Sequence, residues 1–114
     1  MKTLAPQKEA VVKAQLDSRA ALEGLVARHF VLQLVSYRAL ERARAAIKRF
    51  KLCDRSRTIE FVVKPKRYFV IMYGDYANKA SALKAISRLP AKVKRAKPFA
   101  RKVSSIRAQL GLGG

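Results

Sequence analysis

The spacing of hydrophobic and polar positions changes several times along the chain, and each change marks an element. From His29 the run H-F-V-L-Q-L-V-S, rich in β-branched and aromatic residues, reads as a strand to Ser36. Period two puts Phe30, Leu32 and Leu34 on one face and Val31, Gln33 and Val35 on the other. Leu40, Ala43, Ile47 and Phe50 then recur at helical spacing, which predicts an amphipathic helix over 39–52. Arg42, Arg44, Lys48, Arg49 and Lys51 cover its remaining surface. T-I-E-F-V-V alternates as a second strand. Lys64-Pro65-Lys66 is a turn, because proline presets its dihedral and has no donor for a ladder. Y-F-V-I-M-Y is a third strand ending at Gly74. Asn78 caps a second helix with Ala82, Leu83, Ile86 and Leu89 on its buried side, and Pro90 stops it. A very basic stretch follows, with a short edge strand over 99–103. Val103, Ile106 and Leu110 then give one or two helical turns closed by Gly111. Ahead of the first strand lies an alanine-rich helical lead-in with a loose stripe of Val12, Leu16, Ala20 and Leu25; Asp17 and Ser18 offer an N-cap within it.

The order β-α-β-β-α-β predicts an α+β, ferredoxin-like (RNP-like) two-layer sandwich, with both helices on one face of a four-stranded antiparallel sheet and an extra N-terminal helix. Residues 1–28 are then a lead-in or linker, 29–110 the domain and 111–114 a flexible tail. Placing Phe30, Leu32, Leu34, Ile59, Phe61, Phe69, Ile71 and Tyr73 under the helices leaves an open face of Val31, Gln33, Val35, Thr58, Glu60, Val62, Tyr68, Val70 and Met72. An open, mildly apolar sheet face with one amide, one phenol and a basic border is a binding platform.

Charge narrows the partners. Twenty-six Lys and Arg against seven Asp and Glu give a formal +19 over 114 residues, so the surface attracts polyanions: nucleic acid, anionic lipid or acidic envelope polymers. The single cysteine, Cys53, excludes an intramolecular disulfide, and the lone His29 has no partner at metal-ligand spacing. No cofactor or metal is expected. No apolar stretch is long enough to span a bilayer, and Lys8, Glu9 and Lys13 interrupt any signal-like core near the N-terminus. Catalysis finds no support. Glu60 and Asp75, the only acidic residues beyond position 55, fall on different elements, and no phosphate-cradling glycine loop is present.

The segment Y-F-V-I-M-Y-G-D-Y-A-N-K-A-S-A-L-K-A-I-S-R-L-P resembles the second half of a SPOR domain: an aromatic-led strand, a Gly, an aromatic two residues later, a helix with spaced Ala and a Leu-Pro close. F-V-L-Q-L-V-S resembles the family's opening strand with its Gln, and P-F-A-R-K-V-S-S-I-R-A-Q-L is similar to the end of a cell-division member; together they cover about 29–110. The resemblance implies a non-catalytic domain that binds peptidoglycan glycan strands stripped of stem peptides and gathers at the division septum. It implies binding roles for Gln33, Ser36 and Tyr68, with Val70 and Met72 beside them on the sheet. Strict alternation, however, turns Ser36 toward the helices. Tyr68 stands where a relative carries Trp, a smaller stacking surface. The membrane anchor usual in such proteins is not found in these residues. The chain is thus expected to be either a domain of an anchored protein or a soluble relative. For the first, the resemblance implies the periplasmic face of the inner membrane or the septal ring, with division proteins as further partners; for the second, it leaves the location open.

The same fold carries a rival reading. RNA recognition motifs share the β-α-β-β-α-β order and stack bases on central-strand aromatics. K-R-Y-F-V-I-M-Y echoes their third-strand motif in part, but Arg67 stands where Gly belongs and Val70 where a stacking aromatic belongs. Nucleic acid thus remains an alternative partner, held up by the charge. Nine basic residues and no acidic one lie between Lys84 and Arg107. Of these, Lys92, Lys94, Arg95 and Lys97 are expected to flank the open face and add salt-dependent attraction for anionic polymers.

Overall fold

The alternating segments pair into one antiparallel sheet. The computed structural model describes residues 18–63 and 65–112. The expected stripe residues Val12 and Leu16, the cap residue Asp17, the turn residue Lys64 and the last two tail residues lie outside the described residues. In chain order the elements are α1 (Ser18–Leu22), β1 (Phe30–Tyr37), α2 (Leu40–Arg49), β2 (Ser56–Val63), β3 (Lys66–Tyr76), α3 (Lys79–Ile86), α4 (Ala91–Arg95), β4 (Phe99–Lys102) and α5 (Val103–Gln109). The sheet order β2-β3-β1-β4 is the ferredoxin-like arrangement the element order predicts.

Local chemistry accounts for most boundaries. Glu41 in the first turn of α2 and Lys48 and Arg49 in its last turn suit the helix dipole. Lys51, at φ 57°, then reverses the chain so that the Leu52 N–H reaches the Ile47 carbonyl at 2.9 Å. Asn78 caps α3 as expected, its side chain accepting from the Ser81 N–H at 2.8 Å. Leu83 does not join the buried side of α3; it is 47% exposed, and Ala82 takes the core position. Pro90 ends one helical stretch and opens the next. Its extended ψ leads into α4, which seats Val93 in the core.

The sheet is packed on both faces. Under α2, α3 and α4 lie Leu32, Leu34, Phe69 and Ile71, joined by Leu40, Ala43, Ala46, Leu52, Ala82, Leu89 and Val93. On the opposite, outer face a second cluster joins Val31, Ile59, Phe61, Val70 and Met72 to Leu22 of α1 and to Val103 and Ile106 of α5. The expected free platform is therefore corrected, since the terminal helices roof much of it. Val70 and Met72, expected on an open binding face, are 4% and 0% exposed. The phase of β2 is corrected too. Ile59 pairs with Val70 and Phe61 with Tyr68, and cross-strand partners share a face, so both point away from the helix layer. The packed unit also reaches past 29–110 at both ends, because Leu22, Leu25 and Leu112 belong to the outer cluster.

Two irregularities interrupt the β1–β3 ladder. Gln33 faces Met72 and Ser36 faces Val70, so β1 spends three steps where β3 spends two. At the other end Phe30 faces Tyr76 and Leu32 faces Tyr73, so the extra residue is on β3.

Candidate functional site

What remains open on the outer face is its rim, beyond the cover of α1 and α5. The bulge in β1 builds it. Val70 and Met72 are two apart on β3 and share the outer face; Gln33 and Ser36, opposite them, are therefore on that face as well. The bulge absorbs the residue that would otherwise turn Ser36 toward the helices, and Ser36 is exposed. Tyr68, two before Val70, packs half-buried against the same outer cluster. Gln33, Ser36 and Tyr68 thus share one surface, while Val70 and Met72 are its buried floor and not contact groups.

The strand beside Gln33 adds two residues that the sequence reading missed. β4 pairs Phe99 with Gln33 and Arg101 with Val31, placing both on the outer face. Phe99 is 49% exposed. Arg101 lies across the sheet with its guanidinium 5.5 Å from the Phe61 ring centroid. It donates from Nη1 to Gln33 Oε1 at 3.0 Å, from Nε to Ser105 Oγ at 3.3 Å, and from Nη2 to Gln109 Oε1. With the amide oxygen of Gln33 engaged, its NH₂ is the group left to donate. Burial lowers the Arg101 pKa, yet a guanidinium stays charged at physiological pH. Alternation within F-A-R-K carries the signal for Phe99 and Arg101, once the pairing of β4 with β1 is known.

Tyr68 is held from the side. The Arg38 guanidinium sits 5.4 Å from its ring centroid, and Arg38 Nε donates to the Arg67 carbonyl at 3.2 Å. Glu60, on the neighbouring strand β2, is bound to Arg67 at 3.4 Å. β4 accompanies β1 only from Phe30 to Gln33, so the following residues of β1 border an open edge. A concavity of about 240 Å³ lies there, lined by Gln33, Leu34, Val35, Ser36 and Ala96.

The basic flank sits differently from the expectation. Val93 anchors α4 in the helix-layer core, so Lys92, Lys94 and Arg95 border that layer. Just after α4, Ala96 lines the concavity at the Gln33 edge, and Lys97 follows it in the chain at φ 58°. His29 and Asp75, each read alone from the sequence, pair at 2.9 Å and join β1 to β3 at the opposite end of the sheet. Among the described residues no group of three potential metal ligands occurs, and no helix is long and apolar enough to cross a membrane.

A comparison with curated proteins finds no match for the chain. The family model for the SPOR domain matches residues 26–102, which span all four strands and the helix layer. SPOR domains are non-catalytic, peptidoglycan-binding domains of the bacterial division site. With about two thirds of its length matched, the chain belongs to the SPOR domain family.

Proposed function

We propose that this chain docks glycan strands of septal peptidoglycan that have lost their stem peptides, on the rim formed by Gln33, Ser36 and Tyr68, without catalysing a reaction. The observation that carries the reading is the β1 bulge, which sets Ser36 beside Gln33 on the face of Tyr68. An oriented amide suits sugar hydroxyl and acetamido groups, and a phenol ring suits the apolar face of a pyranose. Arg101 and Phe99 extend the same surface, the first by fixing the Gln33 amide and the second as an exposed ring. Lys97 and the cations of α4 add long-range attraction. The site of action is the periplasmic side of the division septum, as for other members of the family.

The test is a pull-down on sacculi treated with an amidase to strip stem peptides, run beside single-stranded RNA at physiological salt. Retention on stripped sacculi, with Gln33→Ala and Tyr68→Ala each weakening it about fivefold or more, is expected. RNA binding should be weak and should vanish as salt rises. Tight RNA binding that survives salt and depends on Tyr68, with no retention on sacculi, would overturn the reading in favour of nucleic acid.

A further inference from the structure

On the opposite face of the sheet, at its other end, the second bulge builds a different concavity. Gly74 adopts φ +77°, and its N–H donates to the Arg55 carbonyl at 2.9 Å. A Cβ at Gly74 would stand 2.4 Å from the Tyr76 ring, so that ring lies directly over the glycine. The extra residue brings Tyr73 and Tyr76, three apart, onto the same helix-side face, where both pack against the core beneath α3. Between them, α3 and the start of β2 lies a pocket of about 270 Å³. Its walls carry Arg55, Lys84 and Arg88 around the two tyrosines, with Leu89 at its apolar base.

Three features set this pocket apart from an ordinary solvated basic surface. Three cations line one concavity. Arg55 also borders Asp54 and Asp75 in a neighbouring hollow, whereas among the described residues no carboxylate lines the pocket beside Lys84 and Arg88, which repel one another unless an anion is present. Neither the Glu60–Arg67 ion pair nor the His29–Asp75 contact involves Arg55, Lys84 or Arg88. Burial raises the pKa of the Tyr76 phenol, and the nearby Arg55 opposes that rise. A neutral phenol in the pocket wall can donate to an anionic ligand as well as accept from Arg55. Two aromatic walls beside converging donors fit a ring joined to an anionic group. A single carboxylate would balance one of the three cations, whereas a phosphate ester brings about two charges and three acceptor oxygens.

We propose that the pocket bounded by Tyr73, Tyr76, Arg55, Lys84 and Arg88 is a second ligand site, for a phosphorylated sugar. Lys84 and Arg88 hold the phosphate, Arg55 and Tyr76 complete its shell, and the tyrosine rings flank the sugar. The site does not depend on the glycan reading, because it lies on the other face of the sheet and shares no residue with the Gln33 rim.

The experiment is an NMR titration of the full chain at about 0.15 M ionic strength with glucose 6-phosphate, and with glucose and inorganic phosphate as its two halves. Saturable shifts confined to Tyr73, Gly74, Tyr76 and α3 are expected, with phosphate weaker and glucose silent. The double variant Lys84→Ala/Arg88→Ala, altered only at exposed positions, should keep its fold and lose about tenfold or more in affinity. Gln33→Ala should bind glucose 6-phosphate as the native chain does. Failure to saturate, or shifts spread over the whole basic surface and unchanged in the double variant, would overturn the site in favour of a diffuse ion atmosphere. Equal affinity for phosphate and glucose 6-phosphate would overturn the sugar.

Discussion

The two bulges in the β1–β3 ladder do the same geometric work by different means. One adds a residue to β1 between Gln33 and Ser36 and keeps Ser36 on the outer face; the other adds a residue to β3 between Tyr73 and Tyr76 and keeps Tyr76 on the helix side. Each borders a concavity, of about 240 and 270 Å³ respectively. The β3 bulge depends on one residue type, since Gly74 combines positive φ with a ring packed where its Cβ would be. The β1 bulge uses Leu34, Val35 and Ser36, and none of them has positive φ. A bulge fixed by a glycine resides in local chemistry; one fixed by pairing resides in the register of the whole sheet. The first should therefore be fragile to a single methyl group and the second tolerant of small side-chain changes.

The comparison assumes that the outer face has a core for the β1 bulge to rest on, and the largest expected effect tests that. Met72→Ala removes a side chain that is 0% exposed and should cost about 2–5 kcal/mol, measured by urea denaturation. A cost below about 0.5 kcal/mol, the range of surface substitutions, would mean an open platform and no roof from α1 and α5. Next in size is the contrast between the bulges themselves. Gly74→Ala should cost about 1–3 kcal/mol, through the strained backbone and displacement of the Tyr76 ring. Ser36→Ala, at an exposed position, should change stability by less than about 0.5 kcal/mol while weakening sacculus binding. Similar costs at the two positions would remove the distinction.

That distinction also explains what the sequence made legible. Element order, the Asn78 cap and the outward placement of Gln33 and Tyr68 follow from local period and turn chemistry. The outer core did not follow from two-face alternation, yet its signal was present. Phe69, Val70, Ile71 and Met72 form an unbroken apolar run in a central strand, as expected when both faces are covered. The β2 phase error has the same origin, because Ile59 and Phe61 belong under whichever face Val70 and Tyr68 occupy. Ser36 was turned the wrong way because a bulge without glycine leaves no mark in composition. Arg101 was invisible as a site residue because its place depends on the β4 register and on the reach of its side chain across three strands.

Arg101 offers a smaller test of the rim. If it fixes the Gln33 amide, Arg101→Lys keeps the charge but loses the planar fork that reaches Gln33, Ser105 and Gln109 together. Sacculus binding should fall about threefold to tenfold, and adding Gln33→Ala should cost little more, because the two residues act as one unit. Full additivity would separate them and leave Arg101 a general cation.

The smallest expected effect lies at the other bulge and concerns pH. Burial, followed by the neighbouring Tyr73, raises the Tyr76 pKa from its ordinary value of 10.0, with Arg55 opposing the shift. The folded state thus holds the Tyr76 proton to higher pH than the unfolded chain does. Below the unfolded pKa both states are protonated and the contribution is fully present. Between the two values the unfolded chain has released its proton and the folded one has not, so stability falls as pH rises. Lysines titrate in the same alkaline range, so the informative quantity is the difference between the native chain and Tyr76→Phe, in which the other groups largely cancel. The native chain should lose stability more steeply than Tyr76→Phe above about pH 10. Gly74→Ala, which pushes the ring out toward water, should bring the native slope close to that of the Phe variant. Parallel slopes in all three would mean that the glycine bulge bends the strand without seating the tyrosine, and that the two bulges differ in backbone strain alone.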